Sequence, residues 1–360
     1  MKIIHTGDIH LGSSMKHMPP DKAKLRKTEL LDTFRQLVSY AKQNDITAVV
    51  IAGDLFDDNR VSRQLKREVF QIISSAQPVG FFYVSGNHDD EFDYEDVLPQ
   101  NFFLFSKNHG WQSYNFAENV TLTGLDAKYM DEKKWNGLAL QEDRFHIVAL
   151  HGDVTGNERN ATYIPLRQLQ NKHIDYLALG HIHKPTLAAK RLDGRGIYRY
   201  CGCLEGRGFD ECGQRGFFLL EIQNGRLISE RFISLSKRVV VEARVDISAC
   251  EGYYDVERVT AETLQQVPQG SIVKIVLCGR HQAGLRKDIT LLQARCEEKF
   301  FFVRVEDQSQ TAVDYHAYEN DFSVRGEFVR EVGRCALSEE MRAEILDVGL
   351  KALAGEEIDL

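Results

Sequence analysis

The chain has 360 residues, of which 43% are hydrophobic and 27% charged, with 27 glycines and 7 prolines. That balance excludes disordered, collagen-like and disulfide-framework chains, and at roughly 150 residues per domain the length suits about two buried cores. The net charge of −8 is uneven: residues 1–236 carry 29 basic and 30 acidic side chains and residues 306–360 carry 5 and 14, so a phosphate-rich substrate is permitted but not indicated.

In chain order, Lys2–Gly7 predicts a strand and turns polar too early for a secretory signal. Asp21–Asn44 predicts a helix, with Leu25, Leu30, Leu31, Phe34, Leu37, Val38 and Ala41 near helical spacing. Ile46–Ala52 and Val79–Ser85 predict strands flanking a helix over Val61–Ala76, and His146–Leu150 and Ile174–Leu179 predict two more strands. This alternation points to a buried α/β sheet with its function at the C-terminal ends of the strands. From about Ile182 the pattern turns to β segments, Ile197–Cys201, Gly216–Ile222 and Arg226–Ser234. A boundary near residue 236 ends the first domain, 1–236. The second, 237–306, reads as a small α+β unit: strand Arg238–Val245, helix Tyr254–Gln266, strand Ser271–Cys278, a helix around Lys287–Lys299 and strand Phe300–Val305. Residues 307–360 close the chain with helices over Asp321–Val332 and Ser338–Ala354. On the last helix Met341, Ile345, Val348 and Ala352 form one stripe and Leu346, Leu350 and Leu353 another, suited to a partner or to the helix's own domain. No apolar run reaches the roughly 18 residues of a membrane span. Seven cysteines without a Cys-x-x-Cys pair predict reduced thiols and a cytoplasmic protein.

Each early strand ends in the same kind of residue. The first delivers Asp8-Ile9-His10, the second Gly53-Asp54-Leu55-Phe56-Asp57, and the third Gly86-Asn87-His88-Asp89. The fourth ends in His151-Gly152 and the fifth in Gly180-His181-Ile182-His183. Strands lying side by side would bring these five segments together. Their nitrogen and oxygen donors, without thiolate, suit Mn²⁺, Fe, Zn²⁺ or Mg²⁺ rather than copper or an iron–sulfur cluster.

In this order the segments resemble the calcineurin-like metallophosphoesterase superfamily over residues 8–183. The resemblance implies an α/β fold, a four-layer-type β-sandwich flanked by helices, and two divalent ions, with Mn²⁺ the first choice. Carried over by position, Asp8, His10 and His183 hold one ion, Asn87, His151 and His181 hold the other, and Asp54 bridges them. A metal-bridging hydroxide is then the nucleophile and His88 the general acid, with Asp57 orienting His88.

The stretches Asp8–Gly12 and Gly53–Arg60 are similar to motifs of SbcD-type double-strand-break repair nucleases and of YhaO-type bacterial phosphoesterases. The α+β unit after residue 236 sits where those nucleases carry a DNA-capping domain. This branch implies a DNA exo/endonuclease that contacts backbone rather than bases, works as a homodimer and engages a coiled-coil ATPase. Arg60 and Arg207 are its candidate phosphate contacts, although the Tyr200–Glu211 segment around Arg207 also reads as a structural turn. Basic residues beside the motifs (Lys22, Lys24, Arg26, Lys27, Arg63, Lys66, Arg67) and in the second domain (Arg280, His281, Arg286, Lys287) suit a DNA backbone or a solvated helix face. The alternative within the same chemistry is a phosphodiesterase of a small nucleotide or other diester, inactive on long DNA. A DNA-end-binding subunit with vestigial hydrolysis is a third reading, disfavoured by the intact set of seven ligands and His88.

Overall fold

In the computed structural model the chain divides into two units, Met1–Val240 and Val241–Leu360. The structure describes all residues except 58–60, 89–97, 106–109, 118, 127–134, 157–161, 283, 313–317, 319 and 355–360. The first unit is an α/β sandwich of two six-stranded sheets. Strands β1 (Lys2–Thr6), β2 (Ile46–Ala52), β3 (Gly80–Val84) and β4 (Phe102–Phe105) run parallel, and β11 (Gly216–Gln223) and β12 (Arg226–Ser234) extend the sheet antiparallel beyond β1. The second sheet runs β5 (Gln112–Asn115), β6 (Val120–Gly124), β7 (Phe145–His151), β8 (Tyr176–Gly180), β10 (Ile197–Tyr200), β9 (Lys190–Arg191), with β6, β7, β8 and β10 parallel.

The inner strands are apolar at consecutive positions because both of their faces are covered. Between the sheets Ile3, Ala48, Val50 and Val84 meet Leu122, Ile147, Ala149 and Ala178. The outer face of the second sheet buries Val148, Leu150, Leu177 and Leu179 under Trp135, Ile164 and Leu169. Helix α1 (Pro20–Gln43) lies against β2, and α2 (Arg63–Ser74) beside it brings Phe70 to 5.7 Å from Phe102 of β4, ring to ring. Ser62 starts α2 by accepting a hydrogen bond from the Leu65 amide, satisfying one of the amides that a helix N-terminus leaves unpaired.

The second unit holds a three-stranded sheet (Val240–Asp246, Ile272–Cys278, Phe302–Asp307) and helices Tyr253–Thr263 and Ile289–Glu297 around a core that includes Val245, Val256, Ile275, Leu292 and Val303. Its last two helices, Val324–Arg334 and Glu339–Ala354, pack through Phe328, Val329, Val332, Leu346 and Leu350. Gly349 has a packing role there: a Cβ on it would fall 2.1 Å from the Phe328 ring. Leu346 and Leu350 of the second apolar stripe pack, while its Leu353 is 41% exposed and Met341, Ile345 and Val348 of the first are 51%, 37% and 38% exposed. Among the described residues no helix is long and apolar enough to cross a membrane.

Candidate metal centre

The C-terminal ends of β1, β2, β7 and β8 lie side by side, and hydrogen bonds stitch the turns that follow them. The amides of Ile9 and His10 donate to Asp54 O at 2.8 and 3.0 Å, and Gly152 N donates to Gly180 O at 3.2 Å. Asp8, His10 and Asp54 sit at φ 47°, 49° and 47°, and His181 at 103°. These are left-handed conformations that cost a non-glycine residue about 1–3 kcal/mol each and cluster at functional sites. Close approach explains Gly86, where a Cβ would stand 2.0 Å from Asp54 Oδ1.

The donors form two clusters. In the first, His10 Nε2 and His183 Nε2 point at each other across 3.1 Å, and the donor atoms of Asp8, His10 and His183 all lie within 4.8 Å of one another. In the second, Asn87 Oδ1 lies 2.9 Å from His151 Nε2 and 3.0 Å from His181 Nδ1. Asp54 stands between them, its Oδ2 lying 3.6 Å from His10 Nε2 and 3.5 Å from His151 Nε2. All seven residues carried over from the resemblance are thus brought together, with Asp54 between the two clusters.

The electrostatics fit a cation. Asp8 and Asp54 are buried side by side, and among the described residues neither pairs with a Lys or Arg. Burial, and then the Asp54 charge, push the Asp8 carboxyl well above its ordinary range. Burial brings the His10 imidazole down to about 4 and also lowers His181, which keeps these rings neutral with lone pairs free to ligate. Two buried carboxylates among neutral imidazoles leave negative charge that divalent ions would neutralise.

Behind the rings, His151 Nδ1 donates to Ala52 O at 2.9 Å, which turns Nε2 toward the centre. His183 Nδ1 lies 2.7 Å from Glu211 Oε1. Burial raises the Glu211 carboxyl, but the His183 contact and the Arg207 guanidinium outweigh it and hold the group well below the usual carboxylate range. His88 is exposed; its amide donates to Asp54 Oδ1 at 2.9 Å and its ring stands edge-on to His10 at 5.1 Å.

Asp57 and Arg207 are near the centre, but with contacts the sequence did not suggest. The Asp57 carboxylate meets His10 Nδ1 at 3.3 Å and Arg207, while its main-chain oxygen is what His88 Nδ1 contacts, at 2.9 Å. Burial raises the Asp57 carboxyl and the adjoining His10 and Arg207 pull it below its ordinary value. Arg207 directs its guanidinium to Asp57 and Glu211. Arg60 lies outside the described residues. Of the basic clusters, Arg26 is fully buried in an ion network and His281 is buried with Lys287 Nζ 2.9 Å from its ring, so neither belongs to an open cationic face. Cys201 and Cys203 are buried, with thiols pushed up by burial.

Sequence reasoning missed the support under His183. Glu211 is part of it, and so is Arg215, which is buried and donates to His183 O at 2.8 Å. Glu205 fixes the loop by accepting from Arg26, Thr33 and the Lys237 amide at 2.8 Å each. The only local signal is a run of charged residues inside a glycine-rich segment, which reads equally well as an exposed turn.

A two-sheet α/β sandwich with this Asp, Asn and His set at its strand ends defines a metallophosphoesterase. The chain belongs to the calcineurin-like phosphoesterase family, which it matches over residues 1–185. Members bind two divalent ions, and two groups of side chains here could each hold one: Asp8, His10 and His183, and Asp8, Asp54 and His151. It is similar to the uncharacterized metallophosphoesterase YhaO of Bacillus subtilis, with 26% identity over 78% of this chain and 72% of that one. It is likewise similar to the DNA double-strand break repair protein Mre11 of Haloferax volcanii, with 27% identity over 92% of this chain and 74% of that one. The nuclease SbcCD of Staphylococcus epidermidis supplies a third relative, one of its subunits, which is 24% identical over 65% of this chain and 70% of its own length.

Proposed function

We propose that the chain is a two-metal phosphodiesterase that cuts the DNA backbone, as an exo/endonuclease of double-strand-break repair. The observation that carries this reading is the pair of three-donor clusters sharing Asp54, with His88 exposed beside them. Divalent ions bound there supply the charge that polarises a phosphoryl group and lowers the pKa of bound water. The chain holds them through Asp8, His10 and His183 on one side and Asn87, His151 and His181 on the other. His88 is fixed by its amide to Asp54 and by Nδ1 to Asp57 O, so Nε2 is the atom left to hand a proton to the leaving oxygen. Such a general acid contributes about 10²–10⁴-fold.

DNA as substrate is supported by the match to a DNA repair protein along 92% of this chain and by the nuclease relative. Recognition in this reading rests on phosphates, so cleavage is independent of base sequence. The exposed stripe Met341–Ile345–Val348 suits a coiled-coil ATPase partner, and a homodimer completes this reading. The free cysteines fit a reducing cytoplasm, with Mn²⁺ as the working ion.

The test is incubation with Mn²⁺ and end-labelled linear duplex DNA in parallel with bis-p-nitrophenyl phosphate. Hydrolysis of both supports a nuclease. Cleavage of the small diester alone moves the substrate to a small phosphodiester, and hydrolysis of neither refutes the reading.

A further inference from the structure

The imidazoles of the two clusters are backed by different groups. His151 Nδ1 meets the Ala52 carbonyl at 2.9 Å, with Asp8 Oδ1 farther off at 3.7 Å, and His181 Nε2 lies 3.5 Å from Thr162 Oγ1. His183 Nδ1 instead lies 2.7 Å from the Glu211 Oε1 carboxylate oxygen, with Arg207 Nη2 at 3.2 Å, and His10 Nδ1 faces Asp57 Oδ1 at 3.3 Å without hydrogen-bond geometry. One guanidinium joins those carboxylates: Arg207 Nη1 donates to Asp57 Oδ1 at 2.8 Å and Nη2 to Glu211 Oε1 at 2.7 Å. The Arg207 amide closes the loop by donating to Glu211 Oε2 at 2.6 Å. Asp57 follows β2 and Glu211 precedes β11, so the two carboxylates come from segments far apart in the chain that this side chain spans.

A carboxylate behind a ligating histidine raises its basicity and fixes its ring, and losing it typically costs about 10–100-fold in metal affinity. A planar guanidinium holds two carboxylates in one fixed fork, which a lysine ammonium cannot reproduce. We propose that Arg207 is a positioning residue whose fork holds Asp57 and Glu211 as one frame behind His10 and His183, and that this frame makes the Asp8–His10–His183 cluster the tighter and first-filled of the two. The inference rests on the metal-centre reading and is independent of the substrate.

Mn²⁺ binding to the full chain is measured by calorimetry, with metal content after dialysis, in two backgrounds. Asn87→Ala disables the second cluster and His183→Ala the first. Arg207→Lys keeps the charge and removes the fork. It is expected to weaken Mn²⁺ binding about 10–100-fold in the Asn87→Ala chain and to leave binding in the His183→Ala chain unchanged. Glu211→Gln should act on the same cluster only, and it decides the matter if Arg207→Lys lowers the melting temperature of the metal-free chain. Equal weakening in both backgrounds, or none in either, overturns the proposal. An unaltered chain that binds no Mn²⁺ overturns the metal centre itself, so the two failures are distinguishable.

Discussion

His88 Nδ1 donates to the main-chain oxygen of Asp57 at 2.9 Å, and the Asp57 carboxylate points elsewhere, to His10 and Arg207. Truncating the side chain therefore leaves His88 its partner. Asp57→Ala is expected to weaken Mn²⁺ binding about tenfold or more, with diester hydrolysis recovering to within a few-fold at saturating Mn²⁺. Hydrolysis still down about 100-fold at saturation would mean that the carboxylate serves His88 directly.

Asp54 touches both clusters, so its loss should act on both ions. Ligands that bind only the folded state stabilise it, by about 2.7 kcal/mol at 100 times Kd. Asp54→Ala is expected to lose that Mn²⁺-induced rise in melting temperature, as read by scanning calorimetry with and without the ion. A rise equal to that of the unaltered chain would contradict the bridging position.

Much of this centre is legible in the sequence because each ligand closes a strand, and strand ends are fixed by the apolar runs before them. Asp8, Asp54, His151 and His181 are placed by β1, β2, β7 and β8 alone. Among the strands missed were β4, β5 and β6, four or five residues each, with Gln112–Asn115 polar and half exposed, and the two-residue β9. Such strands exist through pairing with neighbours, which carries no local signal. Arg26 shows the same limit from another side. By composition it joins a cationic cluster with Lys22, Lys24 and Lys27, yet it is fully buried, donating to Glu205 Oε1 at 2.8 Å and Gly206 O at 2.6 Å.

That burial makes Arg26 a stability residue. Arg26→Ala strips Glu205 and Glu29 of a buried partner and is expected to cost about 3–5 kcal/mol, measured by urea unfolding. A loss below about 1 kcal/mol would show that the network is solvated and contributes little.

His5 gives a pH signature separate from the ligands. It is buried, with Nδ1 3.0 Å from the Tyr176 hydroxyl and Nε2 donating to Leu179 O at 3.2 Å, and burial lowers it from 6.5 to about 3. Between those values the unfolded chain takes up a proton that the folded chain refuses, so stability falls as pH drops through 6.5 toward 3, by about 1.4 kcal/mol per pH unit. His5→Gln keeps polar partners for both groups and should flatten this acid limb in urea unfolding of the metal-free chain at about pH 7 and pH 5. An unchanged limb would assign the loss to other groups.

In the proposed mechanism, metal holding and proton delivery reside in different residues of one centre. The measurement that tests it most directly compares the unaltered chain with His88→Ala for Mn²⁺ bound per chain and for hydrolysis of bis-p-nitrophenyl phosphate. Two ions are expected in both proteins, with hydrolysis about 10²–10⁴-fold lower in the variant. Full hydrolysis in His88→Ala, or loss of its ions, would contradict it.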